Sequence, residues 1–163
     1  MADNQKDQLL TWLNDAHAME TSIVQVLENH ASDAKDHPKI QARIQQHLAE
    51  TKIHADLVEG LIKDLGGSVS SAKSGMSSVM GRVQGASTAF ADDELVKNAL
   101  SDFSTEYFEI ASYTAIIAAA RKLNASNVVS TCQTIVRDEQ AMAKFLDDNL
   151  PTVVDETLSR KAA

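Results

Sequence analysis

Glu106 and Glu109 stand inside the most apolar run of the chain, EYFEIASYTAIIAAA from Glu106 to Ala120. On a helix their spacing puts them on one face, with Tyr113 one turn beyond Glu109 and Ile116 and Ile117 after it. The acids therefore point where core residues belong. An unpaired carboxylate in an apolar interior is costly and would normally protonate, whereas a divalent cation removes that cost. The alternative is that Glu106 lies at the edge of the stripe and reaches water while Glu109 bonds to a tyrosine or a histidine.

The same conflict between residue type and position recurs along the chain. Glu20 falls in the middle of a helical stripe made by Leu9, Leu13, Ala16, Ile23, Val24 and Leu27. Glu139 does so among Val128, Cys132, Ile135, Val136, Met142 and Leu146. In HLAETKIH, His47, Glu50 and His54 stack along one side of a helix whose apolar contacts come from Ile44, Leu48, Leu57, Leu61 and Ile62. Glu50 and His54 are a turn apart and can grip one metal ion. His47 reads as a boundary residue or as a hydrogen-bond partner of a ligand, and so does His17, one turn before Glu20. Asp15, Glu28 and Asp138 lie off the stripes and read as solvated, and Cys132 reads as a small core residue. Four amphipathic helices thus carry Glu20, Glu50, Glu109 and Glu139 near mid-length on their apolar sides, with His54 and Glu106 as further donors. Four to six carboxylate and imidazole ligands suit two divalent ions of iron, manganese or zinc type.

The elements that must position these groups are helices. With 163 residues, six glycines, two prolines and no alternating β-branched runs, the chain reads as a single all-α domain. Helices are expected over about 6–30, 38–65, 92–123 and 126–149. Pro38 suits the first turn of the second helix, Gly66-Gly67 ends it, the acids at 92–94 suit the start of the third, and Pro151 stops the fourth, leaving a tail over 150–163. Residues 66–91 are rich in Ser and Gly and form a crossover long enough to travel the length of a bundle; Met76, Val79, Met80 and Val83 mark a short amphipathic helix within it. The net charge of −8 argues against nucleic-acid and anionic-membrane partners. One cysteine permits no internal disulfide, and with no signal peptide or long apolar run the expected location is cytoplasmic.

The pattern resembles the ferritin-like superfamily, in which the first and third helices each give a Glu and the second and fourth each give Glu followed by His a turn later. Within it the chain resembles the YciE/YciF-like family of bacterial stress proteins over nearly its whole length. LNDAHAME at 13–20, HLAET at 47–51 and YFEIASY at 107–113 carry that likeness, and the Glu106-x-x-Glu109 pair is also similar to the third metal helix of rubrerythrins. The resemblance implies a ferritin-like four-helix bundle with a dinuclear metal site, a homodimer and a role in bacterial stress, with Glu20, Glu50, Glu109 and Glu139 matching the metal carboxylates. Two departures stand out. No His follows Glu139, since Met142 and Ala143 occupy the next turn, and His54 comes four residues after Glu50 where three is usual. The two metal positions are then expected to be unequal, the one with Glu20, Glu50 and His54 richer in ligands and the one near Glu139 dependent on Glu106 or water.

Two functions from different classes follow. A dinuclear iron or manganese site with open positions can take oxygen or peroxide as substrate, which would make the protein an oxidase- or peroxidase-like detoxifying enzyme. A non-catalytic stress protein whose bundle is merely locked by metal or buried hydrogen bonds is the alternative.

Overall fold

The computed structural model describes residues 2–69 and 93–161. Among them the chain forms α1 (Ala2–Asp33), a 3-10 turn (Ala34–Asp36), α2 (Pro38–Asp64), α3 (Glu94–Lys122) and α4 (Ser126–Lys161), which pack as a helical bundle. α1 packs chiefly on α2 and α3 chiefly on α4; the two hairpins meet through α1 against α3 and α2 against α4. The short helix expected around Met76–Val83 lies outside the described residues.

α1 buries Leu9, Leu13, Ala16, Met19, Ile23 and Leu27 on one stripe, and Ala31 and Ala34 prolong that stripe past His30. This is why α1 outruns its expected end: two small alanines in a polar stretch are weak apolar signals in the sequence yet fully adequate for close helix contact. Gln41 of α2 then donates to the Ala31 carbonyl at 2.9 Å, satisfying one of the carbonyls left over at the end of α1. α2 and α3 end in the same way. Gly66 at φ 78° and Asn124 at φ 55° are left-handed, and the amides of Gly67 and Ala125 reach back to the carbonyls of Ile62 and Ala120. That is a Schellman ending on each of α2 and α3.

α4 differs from expectation at Pro151, which lies inside the helix instead of ending it. Proline deletes one hydrogen bond and crowds the carbonyl four residues earlier. Here the residue is exposed, where a freed carbonyl can be solvated, and the next turns are tied down. Val153 is buried, Thr157 donates to the Val153 carbonyl at 2.8 Å, and Glu156 pairs with His37 at 2.8 Å. Val153 closes a cavity at this end of the bundle lined also by His30, Ile44, Asp102, Phe145 and Leu146.

Candidate metal centre

α2 decides which donors face inward. At about 100° per residue, His47, Thr51, His54 and Val58 lie within an arc of about 60°, and Glu50 lies about 60° to one side of His47. His47, Thr51, His54 and Val58 are all buried, while the Glu50 side chain is 23% exposed. Glu20 on α1, Glu106 and Glu109 on α3 and Glu139 on α4 are all buried, each at most 1% exposed. A buried apolar or aromatic residue follows one turn after several of them: Ile23, Val58, Tyr113 and Met142.

The donors converge as two overlapping groups. His47, Glu106, Glu109 and Glu139 can each offer an atom within 4.8 Å of the others, and so can Glu20, His54 and Glu139. Glu139 belongs to both. Its Oε2 lies 3.4 Å from His47 Nε2 and its Oε1 lies 2.9 Å from His54 Nδ1. Glu106 Oε1 is 3.0 Å from His47 Nε2, and Glu20 Oε2 is 3.8 Å from His54 Nδ1. These are ion-pair distances without hydrogen-bond angles. Glu20 Oε2, His47 Nε2, His54 Nδ1, Glu106 Oε2 and both oxygens of Glu109 and Glu139 are buried and make no hydrogen bond. Burying so many unbonded polar atoms together is costly, and cations held among them would relieve it.

The outer atoms of the same residues are held. His47 Nδ1 lies 3.3 Å from Glu50 Oε2, which also accepts from Arg43 at 3.0 Å. His54 Nε2 lies 3.2 Å from Asp138 Oδ2. Each imidazole thus turns one nitrogen to the cluster and the other to a carboxylate nearer the surface, the arrangement that fixes the tautomer of a metal-binding histidine. Tyr113 donates to Glu20 Oε1 at 2.5 Å, leaving Oε2 for the cluster.

Burial and mutual repulsion set the protonation of these groups. Burial, then the charge of Glu139, raises the Glu20 carboxyl to about 8. Burial raises Glu106 to about 8 against the opposing pull of His47. Glu109 is pushed well above the usual range by burial, then by Glu139, Glu20 and Glu106. Burial alone would lower the two histidines, but their carboxylate neighbours win: Glu106 and Glu50 bring His47 to about 10, and Glu139 with Glu20 brings His54 to about 9. Glu50 goes the other way, to about 2, through its bond with His47, with Gln46 and Arg43 assisting against partial burial. A cation held among these groups would compete with their protons.

Of the residues singled out in the sequence, Glu20, His54, Glu106, Glu109 and Glu139 are brought together. The alternative for the α3 pair is not what the structure shows in either part: Glu106 is buried, and neither oxygen of Glu109 bonds to a tyrosine or histidine. Glu50 is not brought in; it faces Arg43, Gln46 and His47. His47, read as a boundary residue or a ligand's partner, lies inside, and its stacking with His54 was the available signal. The Asp138 side chain is 41% exposed, as expected of a residue off the stripe, and it also bonds to His54. His17 stays half-buried outside the cluster. The richer group is the one with Glu106 and Glu109, the reverse of the expected order, because Glu50 leaves the other.

The sequence pattern described as a domain of unknown function, DUF892, matches residues 4–159. Similar solved structures include a protein from Xanthomonas campestris pv. campestris, 29% identical over 98% of this chain and 99% of that one, with a TM-score of 0.84. The E. coli stress protein YciF is 19% identical over 93% and 97% of the two chains, with a TM-score of 0.75. A Desulfovibrio desulfuricans bacterioferritin with a diiron site is 21% identical over 99% and 89%, with a TM-score of 0.77. The last two likenesses show the fold.

Proposed function

The chain belongs to the DUF892 family and is a ferritin-like, YciF-like protein, and from that premise we propose that it binds two divalent metal ions, iron foremost and manganese or zinc next, between its four helices. Glu20, His47, His54, Glu106, Glu109 and Glu139 would hold them. One observation carries this reading: eight buried nitrogen and oxygen atoms from these six residues face one cluster without a hydrogen bond among them. A mixed carboxylate and imidazole set suits such ions.

Bound there, a pair of iron or manganese ions would supply redox exchange with oxygen or peroxide. The chain's own residues do the rest. Glu50 and Asp138 orient His47 and His54, Tyr113 orients Glu20, and Ile23, Val58, Ile116 and Met142 keep the surroundings dry. The activity we infer is oxidase- or peroxidase-like detoxification in a bacterial stress response, carried out in the cytoplasm by a homodimer. Its support is the buried donor set together with the stress-protein and diiron neighbours; no helix among the described residues is long and apolar enough to cross a membrane.

Anaerobic loading with Fe(II), elemental analysis and an oxygen or peroxide electrode test the proposal, and light scattering tests the dimer. Close to two ions per chain with steady consumption of oxidant supports it. No stoichiometric binding of iron, manganese or zinc would overturn the site. Two ions without turnover would instead make metal a lock on the bundle.

A further inference from the structure

We infer that the two metal positions fill in a set order: the one formed by His47, Glu106, Glu109 and Glu139 binds first and more tightly, and the one formed by Glu20, His54 and Glu139 binds second, with Thr51 holding the place of a carboxylate that would complete it. This rests on the dinuclear reading above.

The donor count differs between the two sides. The first position draws on three carboxylates and an imidazole, and Glu109 brings both oxygens unbonded. The second has two carboxylates and an imidazole, and one of those, Glu20, has an oxygen committed to Tyr113. The other, Glu139, divides its oxygens between the two imidazoles and so is shared. For hard divalent ions the number of charged oxygen ligands sets much of the affinity.

Thr51 explains the deficit. Di-iron bundles carry Glu three residues before the histidine of the same helix. Three before His54 stands Thr51, which is buried on the same arc as His47 and His54. Its neighbour Glu50 supplies a carboxylate one residue earlier, but about 100° round the helix, where it is occupied with Arg43, Gln46 and His47. At that buried position of the arc α2 therefore carries a neutral hydroxyl and no carboxylate.

Zn(II) titration of the metal-free full-length chain by calorimetry, followed by Co(II) titration read from its visible absorption, tests this in wild type, Glu20→Gln, Glu109→Gln and Thr51→Glu. The expected result is two resolved binding steps. Glu20→Gln should lose the second step and keep the first, Glu109→Gln should weaken the first by about tenfold or more, and Thr51→Glu should tighten the second by a similar factor. Two ions of equal affinity in one step, or Glu20→Gln weakening both alike, would overturn the order. A folded Thr51→Glu with an unchanged second step would overturn the role of Thr51; should that variant not fold, the Glu20→Gln and Glu109→Gln pair still decides the order. Zero ions in wild type would sink the dinuclear reading itself, an outcome distinct from two ions bound alike.

Discussion

Tyr113 is the least replaceable of the site's supporting side chains, because it is fully buried and donates to a carboxylate that has few other partners. Tyr113→Phe keeps the ring and deletes the donor, leaving Glu20 Oε1 buried without a partner. The chelator-treated variant should lose about 1–3 kcal/mol of stability in urea unfolding. At this scale the acids were legible in the sequence because a carboxylate within an apolar stripe contradicts its surroundings. Glu50 was harder. Counting Leu57 as core widens the arc of α2 toward Glu50, yet Leu57 is 40% exposed. The arc actually buried is set by Ile44, Val58, Leu61 and Ile62, and it centres on Thr51 and both histidines. A threonine gives no charge signal, so its position could be read only once the arc was known.

Among the elements, the segment of α4 after Pro151 shows what a local rule leaves out. Proline is a sound stop signal taken alone, but Val153, two residues on, has a cavity to fill against Ile44, Asp102 and Leu146. Val153→Ala should cost about 1.5 kcal/mol, two methylene equivalents, measured by chemical unfolding; no loss would mean that this last part of α4 is not docked. The turn between α3 and α4 falls in the gap between the helices expected over 92–123 and 126–149, while its left-handed Asn124 is seen only in the structure. Asn124→Ala should cost about 1 kcal/mol, since an alanine there must bear the left-handed backbone, while Asn124→Gly should not. Thermal melts of the two variants check the sign.

For the whole molecule, the metal-free protein should be most stable in mildly acidic solution. Glu20 and Glu106 rise from 4.5 to about 8, His47 and His54 from 6.5 to about 10 and about 9, and Glu109 also rises, so the folded state holds more protons than the unfolded one. The stability these groups give is complete below their unfolded values and is lost as pH climbs from about 4.5 toward about 10. Glu50, lowered to about 2, acts oppositely: its contribution is present above 4.5 and is lost as pH falls toward about 2. Urea midpoints of chelated protein should therefore fall steadily from pH 6 to pH 10; a rise over that range would contradict the buried, protonated cluster. The partition of donors between the two hairpins has a kinetic meaning as well. Glu20, His47 and His54 belong to α1 and α2, and Glu106, Glu109 and Glu139 to α3 and α4, and each proposed position draws on both halves. Neither hairpin completes either position by itself. Metal would then act as a rivet across the seam, leaving the formation of each hairpin untouched while raising the barrier to their separation, so that its main effect would be on the lifetime of the folded state.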